Sequence, residues 1–188
     1  MTAVLHPRAA YWDRGVENVP DMTGARALLD AQDLVRVCQA LDVPLPLSDV
    51  LDVGCGSGRL AALAVRYQGV DIAPSMVAYC LARGRAAQVT VTPEDYPAGP
   101  FTWATAISVC THISRPERQA LLRRLAAVAT HVIVDIIPGD GSGDVALWTA
   151  EPEAFEADLA AAGFRVIGSV DQAWGDQTHR YYRAEVGA

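Results

Sequence analysis

Five short β-runs alternate with helical segments along this chain, and that alternation limits its fold more than any other feature. The β-runs are SDVLDVG (48–54), GVDI (69–72), AQVTV (87–91), FTWATAISV (101–109) and HVIVDII (131–137). Helices are predicted at 22–41, where Leu28, Ala31, Val35, Cys38 and Leu41 recur at helical spacing, and at RLAALAVRY (59–67). Three more are predicted at PSMVAYCLARG (74–84), RPERQALLRRLAAVA (115–129) and EPEAFEADLAAAG (151–163). Pro74 and Pro116 suit first turns, and Gly84 and Gly163 suit helix ends. Two last β-runs, FRVIGSV (164–170) and THRYYRAEV (178–186), are joined only by DQAWGDQ. A parallel crossover needs a dozen or more residues, so this pair is an antiparallel hairpin. The expectation is an α/β, doubly wound, mostly parallel sheet with helices on both faces. Residues 1–188 form one domain, in which 1–47 are an N-terminal cover segment and helix.

The composition permits such a core. Hydrophobic residues make up 51% and charged residues 20%, which excludes disorder. A chain of 188 residues can bury a core without a staple. Cys38, Cys55, Cys80 and Cys110 form no C-x-x-C pair and read as reduced core residues. Four scattered histidines suggest no metal site. A net charge of −7 argues against nucleic acid and anionic membranes as partners. The N-terminus lacks the apolar run of a signal peptide, and the longest stretch without charges, 96–114, is broken by Pro97, Gly99 and Pro100. A cytoplasmic protein is expected. All 15 basic residues are arginine, which suits GC-rich coding and a bacterial source.

The chemistry is concentrated in LDVGCGSG (51–58), at the end of the first β-run. Gly54, Gly56 and Gly58 permit a tight turn and close backbone approach to a ligand. A following helix would offer free N–H groups to an anionic group. Asp71 closes the second β-run, where a carboxylate can accept both hydroxyls of a ribose. A dinucleotide fingerprint would need a third glycine at position 59, which is Arg59.

The spacing G-x-G-x-G, with Asp52 two residues ahead, resembles motif I of the class I, Rossmann-fold S-adenosylmethionine (SAM)-dependent methyltransferases. GVDIAPSMV (69–77), the PEDYP turn, FTWATAISVCTHI (101–113) and EAFEADLAAAGFRV (153–166) resemble later motifs of that family in order, so the likeness spans about 48–186. It implies a seven-stranded sheet of order 3-2-1-4-5-7-6 with strand 7 antiparallel. It also implies a cofactor site in which Gly54 and Gly56 line the methionine portion and Asp71 holds the ribose, with Cys55 among the cofactor-binding residues and Asp52 contacting or bracing the loop. Ile72 and Met76 would pack on the adenine, Glu94 or Asp95 would face its amine beside Tyr96, and Ser108 and Val109 would border the sulfonium. Thr102 stands where the family usually has Asp, and Cys110 where a larger aliphatic is commoner.

Other candidates surround this site. Tyr11 and Trp12 are expected to close over the cofactor or substrate, together with the GDGSGD loop (139–144). His112 follows the fourth β-run and is the candidate general base, since imidazole titrates near neutral pH. Trp148, Trp174 and His179 are candidates for lining an acceptor pocket, whereas His6 and His131 read as structural. The implied function is methyl transfer from SAM to oxygen or nitrogen of a small molecule, with specialised metabolism as a setting, by a monomer or homodimer. The alternative is a SAM-binding protein of the same fold with other chemistry or a non-enzymatic role.

Overall fold

The computed structural model describes residues 12–13, 25–142, 148–174 and 177–187. Strands are β1 (Leu47–Val53), β2 (Ala64–Asp71), β3 (Ala87–Val89), β4 (Phe101–Ala106), β5 (Ala129–Pro138), β6 (Thr149–Ala150), β7 (Phe164–Trp174) and β8 (Gln177–Val186). Helices are α1 (Ala25–Ala40), α2 (Pro74–Ala82), α3 (Arg115–Val128) and α4 (Pro152–Ala161). The main path of the sheet is β3-β2-β1-β4-β5-β8-β7, with the short β6 added beside the end of β5. Pairing is parallel except for β5–β8 and β7–β8, so the final antiparallel hairpin and the expected order both hold.

The segment RLAALAVRY departs from expectation. Its first residues form one 3-10 turn, Arg59–Leu63, and Ala64 already begins β2. Pairing decides this: β2 matches β1 along its whole length, from Leu47↔Ala64 to Val53↔Val70. The strand thereby takes residues that the helix would need, and Val65 and Tyr67 suit a strand. One consequence is exposure, since Val65 is 68% accessible.

Cover on this face comes from α1. Leu34, Val37, Cys38 and Leu41 pack with Leu60 of the turn and with Val50, Trp103, Ile107, Ile133 and Tyr181 of the sheet. The buried stripe passes through Leu34 and Val37, while Val35 is only half-buried, so α1 is rotated relative to the expected face. The opposite face carries α3 and α4. Leu121, Leu122, Leu125, Phe155 and Leu159 pack on Leu51, Ala104, Val132, Val134 and Tyr182, and each large side chain so buried contributes about 1.5–3 kcal/mol. Buried Asp158 of α4 is held by Arg115, Arg118 and Gln119 of α3. At the start of α3, Ser114 and Glu117 form a capping box.

Strand ends differ modestly from expectation. β4 stops at Ala106, β7 and β8 extend into the expected connection to leave only 175–176 between them, and a bulge interrupts β7 between Val166 and Gly168. The segment after β5 is tied at its base, where Gly139 N–H donates to Ala150 O and Thr149 N–H to Ser142 O. All four cysteines are buried and free. No helix among the described residues is long and apolar enough to cross a membrane.

Candidate functional site

The carboxyl ends of β1 and β4 lie side by side where the chain leaves β1 one way, toward β2, and leaves β4 the other way, toward β5. Such a switch point leaves a crevice above the strands. Gly54, Gly56 and Gly58 of the loop there have φ of 66°, 51° and 72°, a region that favours glycine. A Cβ on Gly54 would come within 2.4 Å of Val109 Cγ2. Val109 therefore packs directly against Gly54 at the lip of the crevice, and Gly54 itself is exposed.

Asp71 organises the loop from below. One carboxylate oxygen accepts the Gly56 N–H at 2.8 Å, and the other accepts the Ala73 N–H at 2.9 Å. Burial raises its pKa against the pull of these N–H bonds. The Ile72 N–H is a third backbone donor to this carboxylate, so about one of its four lone-pair sites is left to accept from a ligand. Beneath it, the Cys80 thiol donates to Gly56 O at 3.1 Å.

Asp52 is spoken for. It is 3% exposed, accepts Tyr67 OH at 2.8 Å and Thr105 Oγ1 at 2.7 Å, and so ties β1 to β2 and β4. Burial pushes its pKa up to about 6, with the two hydroxyl bonds pulling the other way. Ile72 is half-buried and Met76 buried at the start of α2. The expected helix N-terminus after the glycine loop is absent, because only the 3-10 turn stands there.

Glu94 and Asp95 are exposed in a single 3-10 turn with Tyr96 half-buried behind them. Arg124 of α3 holds that turn by donating to Pro93 O and Tyr96 O. Beyond β4, Ser108 has φ 58° and a buried Oγ with no hydrogen-bond partner. Its N–H donates to Asp135 Oδ1 at 2.6 Å, and Asp135 Oδ2 lies 2.7 Å from His179 Nδ1.

Trp12 packs edge-on to His112, with ring centroids 4.7 Å apart. Asp13 accepts the Ser75 N–H at 2.9 Å, which caps α2 from outside because its own N-cap, Ala73, has no capping side chain. Two consecutive residues thus bridge the turn after β4 and the start of α2, across the crevice. Trp148 N–H donates to Thr111 O at 2.6 Å, bringing the segment after β5 onto the His112 turn, and its indole Nε1 is buried without a partner. His131 stacks on Trp103, as expected of a structural residue. Tyr11, His6, the Trp174 side chain and residues 143–144 of the GDGSGD loop lie outside the described residues.

The structure gathers Trp12, Gly54, Gly56, Asp71, Ser108, Val109 and His112 around one crevice. It gives Asp52 to bracing and His179 to Asp135. Asp13, Arg124 and Asp135 were not singled out from the sequence. Only Asp13, beside the aromatic pair, had a local signal, since aspartate is a common helix cap.

Residues 50–131, from β1 into β5, match the methyltransferase domain family. The sequence has no match among curated proteins. Among solved structures, magnesium protoporphyrin IX methyltransferase from Synechocystis PCC 6803, with bound SAM, is similar with a TM-score of 0.77 at 18% identity, over 100% of both chains. The 1,6-didemethyltoxoflavin-N1-methyltransferase of Burkholderia thailandensis is similar with a TM-score of 0.67 at 17% identity, over 96% of this chain and 87% of that one. The fold also houses the [4+2]-cyclase SpnF, with a TM-score of 0.63 at 18% identity over 84% and 81%. The glycine loop, the strand order and the match over residues 50–131 agree: the fold is that of the class I, Rossmann-fold, SAM-dependent methyltransferases, and the stretch from β1 into β5 is similar to their methyltransferase domain.

Proposed function

We propose that the protein transfers a methyl group from SAM to oxygen or nitrogen of a small molecule. The observation that carries this is the Trp12–Asp13 bridge between His112 and Ser75, which roofs the crevice. A roofed crevice suits a small acceptor better than a polymer, and the acidic net charge of −7 agrees.

The residues fit the cofactor. The Gly54 backbone is exposed and carries no side chain of its own, which allows close approach, and the unpartnered Ser108 Oγ awaits a polar group. Gly54, Cys55 and Gly56 would line the amino-acid portion, and the lone pair left on Asp71 would take a ribose hydroxyl. Ile72 and Met76 would flank the adenine, with the Glu94–Tyr96 turn at its edge. When bound, SAM supplies an electrophilic methyl carbon on a sulfonium.

The chain's own work is then alignment and exclusion of water. Trp12 and Trp148 enclose the acceptor side, and the unpaired indole N–H of Trp148 is a donor for a polar atom of the acceptor. The His112 imidazole takes the proton that the acceptor's hydroxyl or ammonium group loses. Acid–base help of this kind is typically worth about 10²–10⁴-fold.

Calorimetry with S-adenosylhomocysteine (SAH) and mass spectrometry of cell extract incubated with the protein and deuterated-methyl SAM test the two halves of this reading. One SAH site per chain is expected, weakened at least about tenfold by Asp71→Ala. A labelled product of small mass is expected in the extract. SAH binding without any labelled product would favour a SAM-binding protein with other chemistry, and an Asp71→Ala variant with unchanged affinity would remove Asp71 from the site.

A further inference from the structure

Ser108 holds a backbone shape that a residue with a Cβ adopts only at a cost, with φ 58° in the turn that follows β4. Asp135, in β5, supplies the restraint. It is 0% exposed and its Oδ1 accepts the Ser108 N–H at 2.6 Å. Its Oδ2 is 2.7 Å from Nδ1 of His179 in β8, whose ring is itself 5% exposed. A buried carboxylate is expensive unless its oxygens are satisfied. Here both are, one by a turn of the crevice and the other by a strand of the final hairpin.

The restrained turn matters to the crevice on two counts. Ser108 Oγ is buried without a hydrogen-bond partner, and the next residue, Val109, forms the lip that faces Gly54. A rotation of this turn would move both groups together. Among the described residues, Asp135 reaches the crevice through the Ser108 N–H.

We propose that Asp135 and His179 are positioning residues: the pair clamps the Ser108–Val109 turn so that the serine hydroxyl and the valine lip meet the bound cofactor. This rests on the reading that the crevice holds SAM.

The test is SAH calorimetry on the full chain and on Asp135→Ala, Asp135→Asn and His179→Ala, each also made in a Ser108→Gly background. Asp135→Ala should weaken SAH at least about tenfold. Asp135→Asn should stay within about threefold, because the amide oxygen still accepts the Ser108 N–H and the amide nitrogen can donate to His179. Glycine reaches a left-handed φ without penalty, so in the Ser108→Gly background Asp135→Ala should cost under about threefold. A merely structural Asp135 would cost the same in both backgrounds, and that result would overturn the proposal. If circular dichroism shows Asp135→Ala unfolded, the His179→Ala pair decides: a loss of at least about threefold that disappears with Ser108→Gly supports the clamp, and any other pattern refutes it. Failure of the unmodified chain to bind SAH would strike down the cofactor reading itself, and the clamp with it. Normal binding by the unmodified chain and by every folded variant would strike down the clamp alone.

Discussion

Replacing Asp52 by Asn should make this protein more stable at neutral pH and leave its stability unchanged in acid. The carboxylate is 3% exposed, and its two hydrogen bonds come from neutral hydroxyls of Tyr67 and Thr105. Burial lifts its pKa from the ordinary 3.8 to about 6, with the hydroxyl bonds already acting against that rise. The folded protein therefore holds this proton more tightly than the unfolded chain does. The resulting stability is fully present below about pH 4 and is lost as pH rises through about 6. Each pKa unit is worth about 1.4 kcal/mol, so ionised Asp52 costs the fold about 3 kcal/mol at pH 7. Asparagine has the same shape, can accept from one hydroxyl and donate to the other, and never ionises. Asp52→Asn should thus gain up to about 3 kcal/mol at pH 7, or roughly 6–12 °C in Tm for a chain of this size, and nearly nothing at pH 4. Denaturant unfolding of both proteins between pH 4 and 8 measures this. Asp71 shifts in the same direction, but it is common to both proteins and largely cancels in the difference. An asparagine variant less stable than the parent at pH 7, or a gap independent of pH, would show that the ionised carboxylate stabilises the strands and would refute the reasoning.

Three other outcomes are expected. Gly56→Val should remove SAH binding while circular dichroism stays native, because φ of 51° is forbidden to a β-branched residue and the loop must rearrange; normal binding by a folded variant would deny the loop its cradle role. His112→Gln should lower kcat at least about 100-fold at saturating acceptor with SAH affinity unchanged, and a fall under about tenfold would leave alignment alone to drive transfer. Asp13→Ala should release the roof, so that about 0.5–2 kcal/mol of helix capping is lost, backbone amides at the start of α2 exchange faster and SAH binds more weakly; unchanged exchange at Ser75 would mean that the bridge does not hold.

Much of the site could be read along the chain because its requirements are local. A loop that needs left-handed φ at three alternate positions shows itself as Gly54, Gly56 and Gly58. A carboxylate at the end of a β-run shows itself as Asp71, and a connection too short to cross a sheet identifies the closing hairpin. Tertiary structure decided what local preference leaves open. Residues 64–67 fit either a helix or a strand, and pairing with β1 chose the strand. Helix α1 has apolar residues enough for more than one face, and the sheet beneath selected Leu34 and Val37 over Val35. The hydrogen bonds that shape the crevice join positions far apart in sequence: Asp13 with Ser75, Asp52 with Thr105, and Asp135 with His179. A solitary Asp or His carries no mark of its partner in its own neighbourhood. Burial is what forces each such group to find one, because an unpaired polar group away from water is costly, and burial belongs to the folded sheet rather than to any stretch of the chain.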